Sequence, residues 1–167
     1  MKKTLILLSA VIALCAFTSC NKEPKNEHPL EGVWAFMSEE IIYKDADGKI
    51  VDQYKHEYNP FNPSTNNDMK LELTWVSEND YTAKLFRWNP EDKKWESSNR
   101  PFDVSIRDGN KLFSSAGLSG EMAEAGTITF SGDMFILEGT RKKLSLSISD
   151  EDSGITEYLK ETYKRME

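Results

Sequence analysis

The chain has 167 residues, enough for one ordinary domain, and its 28 acidic and 21 basic residues give a formal net charge of −7. This balance argues against a nucleic-acid partner, because binding to a phosphate backbone depends on clustered lysine and arginine. Both cysteines, Cys15 and Cys20, lie near the start, so the rest of the chain offers no cysteine pair to oxidise.

Residues 1–19 have the features of a targeting segment. Two lysines follow the first methionine, and the apolar run at residues 5–16 is too short to span a bilayer comfortably. The run leads into residues 17–20, Phe-Thr-Ser-Cys, which resemble the signal of bacterial lipoproteins: an apolar residue, two small residues and a cysteine. The resemblance implies that residues 1–19 are removed and that Cys20 is lipidated and becomes the mature N-terminus. An ordinary secretory signal or membrane anchor that ends in cysteine is the alternative.

Loss of residues 1–19 removes two lysines and no acidic residue, so the formal net charge falls from −7 to −9. Electrostatic docking on anionic lipid is not expected for such a chain. We expect membrane attachment through acyl chains on Cys20, each buried methylene contributing about 0.8 kcal/mol. Residues 20–29 are interpreted as this cysteine and a flexible polar tether. The expected location is the outer membrane of a bacterial envelope, with the side that the protein faces left open.

Residues 30–167 are expected to form one all-β domain. Apolar and polar residues alternate, as in strands with one buried face, in three stretches: residues 71–75, 102–106 and 144–148. Glycine-containing pairs lie at hairpin positions between apolar runs: residues 47–48, 108–109 and 132–133. Successive hairpins predict an antiparallel up-and-down meander of about 8–10 strands, closed as a barrel or, alternatively, folded as a β-sandwich. The best helical candidate is short, residues 119–125.

The two ends of this domain carry a distinctive pair of patterns. Gly32 and Trp34 form a Gly-x-Trp near its start, and Tyr163 and Arg165 form an aromatic-x-Arg near its end. These patterns resemble the lipocalin-like domains of bacterial lipoproteins. The resemblance implies a barrel in which Trp34 plugs one end, beside Gly32, and Arg165 lies across it, a cation–π contact of roughly 0.5–2 kcal/mol. A plain core tryptophan is the alternative for Trp34.

No catalytic, cofactor or metal motif stands out in the sequence. Residues 45–48 begin like a calcium loop, but Ile50 and His56 occupy the places where that loop needs glycine and glutamate. His56 is the only histidine of the predicted domain, and no cysteine remains there to complete a zinc site. The acidic residues 150–152 are interpreted as a solvated turn. We therefore expect no enzyme, no cofactor and no metal, although a serine triad built on His56 is left open.

Large aromatic residues gather in the first two thirds of the domain and direct the functional prediction. We predict a non-catalytic barrel whose wall binds a small apolar or amphipathic ligand through four aromatic residues: Tyr58, Trp75, Trp88 and Phe102. The alternative is a solid-core β module that binds an envelope protein or a glycan through outer aromatic residues. The direction of the middle tryptophans distinguishes the two. The long connections at residues 59–68 and 116–126 are either lids at the barrel mouth or idle loops.

Overall fold

The computed structural model describes residues 28–97, 100–116, 120–142 and 154–166, which contain ten strands. In chain order they are β1 (Gly32–Lys44), β2 (Ile50–Glu57), β3 (Met69–Ser77), β4 (Asp80–Asn89), β5 (Lys94–Ser97), β6 (Phe102–Arg107), β7 (Lys111–Ser114), β8 (Ala123–Ser131), β9 (Met134–Lys142) and β10 (Thr156–Met166). The predicted signal with Cys20, most of the tether, the strand predicted at residues 144–148 and the acidic turn at residues 150–152 lie outside the described residues. Within the described ranges, no helix is long and apolar enough to cross a membrane.

All the strand pairs are antiparallel, and they close into a barrel. β3 pairs with the first residues of β1 and β2 pairs with its later residues, so β2 and β3 lie one after the other along the same edge of β1. β5 and β6 lie in the same way along β4. The ten strands therefore occupy eight positions in an up-and-down order. β10 pairs with both β9 and β1, which closes the ring. The predicted barrel is confirmed, and the β-sandwich alternative is wrong because the sheet has no break at which to fold over.

The hairpins follow the turn chemistry of the sequence. Gly109 and Gly132 join β6 to β7 and β8 to β9 with φ of 85° and 61°, in the left-handed region that favours glycine. At the other end of the barrel, the backbone N–H groups of Asp47 and Lys49 donate to Asp45 Oδ1 and order the turn between β1 and β2. All three predicted turn positions therefore lie between paired strands.

The helix expected at residues 119–125 is wrong, since β8 begins at Ala123. Residues 123 and 124 pair with Ser114 and Phe113 of β7. Residues 117–119 lie outside the described part of the chain. Pairing with a neighbouring strand outweighs the local helical preference of this short Ala- and Glu-containing stretch, as tertiary contacts commonly do for weak helices.

The packed core fills one end of the barrel, where the turns are short. Its buried residues come from alternate positions of most strands: Leu30, Trp34, Leu73, Tyr81, Ala83, Val104, Ile106, Leu112, Ile128, Phe135 and Leu137. We call this the closed end. The turn between β1 and β2, the turn between β4 and β5, and the connections that follow β7 and β9 lie at the opposite, open end.

Candidate functional site

Trp34 and Arg165 seal the closed end. Trp34 is 1% exposed, and its indole Nε1 donates to the Leu30 carbonyl at 2.7 Å. The guanidinium carbon of Arg165 lies 4.4 Å from the centre of the Trp34 ring. Its Nη1 donates to the Glu31 carbonyl at 2.6 Å, and its Nη2 donates to the Pro29 carbonyl at 2.9 Å. A Cβ added to Gly32 would lie 2.7 Å from Arg165 Nη1, and its φ of 127° favours glycine. The three residues of the Gly-x-Trp and Arg patterns thus meet at one contact.

Above this plug the barrel is hollow. The cavity has a volume of about 740 Å³, which lies within the range of small-molecule sites. Its wall is mainly apolar and is built from inward-facing side chains of seven strands: Phe36, Leu71, Leu73, Leu85, Phe102, Val104, Leu112, Phe135, Leu137 and Leu159. The lower wall merges with the packed core, and the upper wall reaches the open end. This arrangement can hold an apolar molecule entering from the open end.

Two glutamates with tyrosine partners supply polar groups to the wall. Glu39 on β1 and Glu161 on β10 are direct cross-strand partners, and both line the cavity. The hydroxyl of Tyr58 donates to Glu39 Oε2 at 3.5 Å, and that of Tyr163 donates to Glu161 Oε2 at 2.8 Å. Burial raises the pKa of both tyrosines, and the nearby glutamate charges raise it further. The tyrosines therefore stay neutral donors at physiological pH.

The other charged residues of the lining are turned to other partners or to solvent. The Lys70 ammonium lies 5.2 and 5.1 Å from the ring centres of Phe86 and Trp95, whose side chains are on the outer face. Glu124 lies 3.5 Å from the Lys111 ammonium. Arg87 lines the upper wall and is exposed. The polar part of the wall is thus concentrated in its upper half.

One of the four predicted wall residues, Phe102, lines the cavity, and three lie elsewhere. Trp75 is on the same face of β3 as Leu73, but it lies past the point at which β3 stops pairing with β1. It is 38% exposed there, and its ring stacks on that of His28 at 4.1 Å. Trp88 faces outward and contacts Trp95 edge to face at 5.5 Å. Tyr58 does not line the cavity itself but contacts two residues that do: its ring stacks on Phe36 at 4.8 Å and its hydroxyl donates to Glu39.

The sequence reasoning missed Glu39, Glu161 and Tyr163 as wall residues. The last two could have been found, because Glu161 and Tyr163 share a strand face with Arg165, which was predicted to lie across the barrel end. Glu39 could not have been found from alternation with Trp34. The register of β1 shifts between Phe36 and Ser38, and this bulge turns Glu39 inward.

The connection at residues 59–68 is an ordered loop and not a free lid. The carboxylate of Asp68, which is 4% exposed, accepts hydrogen bonds from the backbone N–H groups of Asn59, Ser64 and Thr65 at 2.8–3.0 Å. Burial would raise the pKa of Asp68, but these hydrogen bonds outweigh it and hold the pKa below its ordinary value. Because this loop links β2 to β3 along one edge of β1, it lies beside the barrel wall.

A seam in the wall lies between the upper parts of β8 and β9. The two strands pair from the turn up to Thr127 and Glu138, and the described residues beyond this pair are not paired with each other. Gly126 and Gly139 stand where the strands part, and a Cβ at either position would come within 2.3 Å of a carbonyl oxygen on the other strand. Only glycine allows the two backbones to approach so closely here.

The part of the chain that the structure describes contains no group of three or more side chains able to hold a metal ion. No family model matches the chain, and no curated protein matches it at a significant level. Solved structures that are similar include the following three. A redesigned β-barrel, b11L5F_LGL, is 16% identical over 83% of this chain and 93% of its own, with a TM-score of 0.36. EF1p2_mFAP2b bound to DFHBI is 13% identical over 83% and 94%, with a TM-score of 0.39. A de novo designed fluorescence-activating β-barrel is 10% identical over 84% and 96%, with a TM-score of 0.36.

Proposed function

We propose that this protein is a lipid-anchored envelope lipoprotein whose barrel binds a small apolar or amphipathic molecule without catalysing a reaction. The observation that carries the proposal is the cavity of about 740 Å³ with its apolar wall. Protein interiors are normally packed without voids larger than a water molecule, so a space of this size reduces stability unless something fills it. A ligand that buries its apolar surface there supplies the missing contacts.

The alternative, a solid-core module that binds its partner through outer aromatic residues, has less support. The outward rings of Trp88 and Trp95 pack on each other. The Lys70 ammonium makes cation–π contacts with the rings of Phe86 and Trp95. These rings already have partners on their own surface. The hollow interior, in turn, has no role in a solid-core module.

The first test is whether apolar molecules enter the barrel. The protein used is the mature-length chain, residues 20–167 with Cys20→Ser, which cannot be acylated. We expect the fluorescence of the neutral apolar dye N-phenylnaphthylamine to rise on saturable binding, and native mass spectrometry to find one bound molecule per chain. Absence of saturable dye binding, together with no co-purified apolar molecule, would overturn the proposal.

A pair of neighbouring substitutions locates the binding site. Leu85 faces the cavity, and Lys84 precedes it on β4 with its side chain on the outer face. Leu85→Trp is expected to fill part of the cavity and weaken dye binding at least about tenfold, a loss of roughly 1.4 kcal/mol. Lys84→Trp adds the same side chain outside and is expected to leave binding unchanged. Equal weakening by both variants would place the dye outside the barrel.

The anchor is tested separately from the cavity. We propose that Cys20 is acylated and that this modification holds the protein at the outer membrane. The described chain enters the barrel at its closed end, where Arg165 donates to the carbonyls of Pro29 and Glu31. An anchor before residue 28 is therefore attached at the closed end, and the ligand enters through the opposite end. Cys20→Ser in the full-length protein is expected to abolish retention in the membrane fraction and to preserve the β-rich circular dichroism spectrum. A mutant that stays with the membrane would show that the anchor lies elsewhere.

A further inference from the structure

We infer that the closed end of the barrel lies against the lipid bilayer, with the exposed side chains of Trp75, Val76 and Phe130 in the interfacial layer of the lipid. The inference rests on the proposed function, since it takes the anchor at Cys20 as given. It goes beyond that proposal because an anchor alone leaves the barrel free to take any orientation. Two separate observations carry it: the place where the described chain begins, and the exposure of apolar side chains at that same end.

The chain between the anchor and the barrel is short. His28, the first described residue, stacks on Trp75 at 4.1 Å, so the described chain begins beside that ring. Cys20 is eight residues earlier. Eight residues span at most about 28 Å when extended and about 16 Å on average when flexible. The closed end therefore stays near the lipid head groups. A weak contact is sufficient there, because a short tether keeps the effective concentration in the millimolar range.

Apolar side chains flank the plug on two sides of the closed end. Trp75 and Phe130 continue the inward faces of β3 and β8, since Leu73 and Ile128, two residues before them, belong to the buried core. These two strands are four positions apart in the ring of eight. Past the core the two faces meet solvent, where Trp75 is 38% exposed and Phe130 is 41% exposed. Val76, next to Trp75, is 57% exposed. A flat surface below the closed end can therefore contact both sides at once.

The chemistry of this end suits an interface of zwitterionic lipid. Tryptophan is enriched at membrane–water interfaces because its large apolar ring carries a single N–H donor. Trp75 Nε1 donates to the Glu78 carbonyl at 3.2 Å, so the ring can enter lipid with its N–H satisfied. The three turns at this end, residues 78–79, 108–110 and 132–133, each contain one acidic residue and no lysine or arginine. Anionic head groups would repel them, so the contact depends on apolar burial and not on charge.

A second copy of the chain is the competing occupant of this surface. If two copies met through their closed ends, the acidic turns of one copy would face those of the other. Like charges brought together across an interface weaken binding. A zwitterionic bilayer has no net charge, and the tether already brings it to this end of the barrel. We therefore favour the bilayer.

Tryptophan fluorescence on vesicles tests the contact. Residues 20–167 contain one cysteine, Cys20, which is coupled to a maleimide lipid in phosphatidylcholine vesicles in place of the acyl anchor. Bromine atoms on the lipid acyl chains quench a tryptophan that enters the bilayer. Quenching is expected up to the share of one tryptophan in four, and Trp75→Phe is expected to abolish it. Trp88→Phe is the matched control and is expected to keep it, because Trp88 lies near the turn between β4 and β5 at the open end.

The outcomes separate this contact from the proposed function. Quenching that is absent from the parent, or that persists in Trp75→Phe, would overturn the inference. The proposed function would then stand, because dye binding tests the cavity and fractionation of Cys20→Ser tests the anchor. The chemical link to lipid makes the vesicle result independent of whether Cys20 is acylated in the cell.

Two charge substitutions locate the contact on the barrel. Val76 at the closed end and Ile50 at the open end are 57% and 50% exposed. Val76→Glu is expected to remove most of the quenching of Trp75, because a carboxylate resists transfer into lipid. Ile50→Glu adds the same charge at the other end and is expected to leave the quenching unchanged. Equal effects of the two substitutions would overturn the inference. A dimer of the lipid-free protein in sedimentation, dispersed by Val76→Glu, would assign the surface to a second copy and overturn it as well.

Discussion

Arg165→Ala is the substitution that most directly tests how the barrel is closed. Arg165 is near the end of the last strand, yet its guanidinium lies over Trp34 of the first strand and donates to two backbone carbonyls that precede that strand. The change to alanine removes all three contacts at once. It leaves two carbonyl oxygens without their donor and uncovers one face of the tryptophan ring.

The expected cost follows from those contacts. Hydrogen bonds from a charged donor contribute about 1.5–3 kcal/mol each when buried, and we take about 1 kcal/mol for each here because the guanidinium is partly exposed. A cation–π contact at such a site adds about 0.5–1 kcal/mol. The total free energy of unfolding lost is therefore about 2–4 kcal/mol, allowing for some loss of packing on Trp34. For the mature-length chain, residues 20–167, this lowers Tm by roughly 6–12 °C.

The measurement is thermal unfolding followed by far-ultraviolet circular dichroism on the Cys20→Ser mature-length chain. Lys164→Ala is the matched control, because the neighbouring Lys164 ammonium makes only exposed contacts, with Asp133 at 3.6 Å and over the Phe61 ring at 5.8 Å. Such surface pairs contribute at most about 1 kcal/mol. Equal shifts in Tm for the two variants would refute the reasoning that Arg165 holds the closed end.

Three further substitutions test other parts of the barrel. Asp68→Asn should lower the free energy of unfolding by about 1–3 kcal/mol at neutral pH. Because the pKa of Asp68 is lowered in the folded protein, the extra stability of the parent is present above about pH 4 and is lost as the pH falls through the folded-state pKa. Acid titrations of the stability of both proteins would reveal this loss. Gly126→Ala should lower the free energy of unfolding by well over about 1 kcal/mol, since its Cβ would lie 2.3 Å from a carbonyl oxygen. Gly48→Ala, at a turn position with open space, should lower it by only roughly 1 kcal/mol. Similar denaturant midpoints for the two variants would contradict this expectation. Lys160→Ala removes a 2.9 Å ion pair with Glu138, whose partners are 36% and 42% exposed. Because exposed ion pairs contribute at most about 1 kcal/mol, the Tm of this variant should differ from that of the parent by no more than roughly 3 °C.

Local signals in the sequence were sufficient for the up-and-down arrangement but not for the position of every strand. Alternation at residues 71–75 and 102–106 predicted β3 and β6, and glycine-containing turns predicted which strands are neighbours. What local patterns could not show is that β2 and β3 share one position of the ring. The loop between them is held by a single buried carboxylate, Asp68, and one aspartate among many polar loop residues gives no distinctive pattern.

The candidate site was predicted less well than the fold, for a geometric reason. Residue size predicts burial, but a barrel wall has two faces, and Trp88 and Phe102 differ in the face on which they lie. Alternation decides the face only while the strand stays regular. The bulge after Phe36 breaks the regularity of β1, and from that point the inward positions of the first strand can be assigned only from the structure.

The proposed binding function fits the difference in packing between the two ends of the barrel. At the closed end, Trp34, Phe135 and Arg165 contact one another or their neighbours with favourable geometry. In the upper half, two strands part at a pair of glycines, and the interior is left unfilled. An unfilled interior costs free energy in the empty protein, and substitutions with larger side chains could fill it. An unfilled interior is expected where a bound molecule offsets this cost, since a ligand that binds only the folded state stabilises it by mass action.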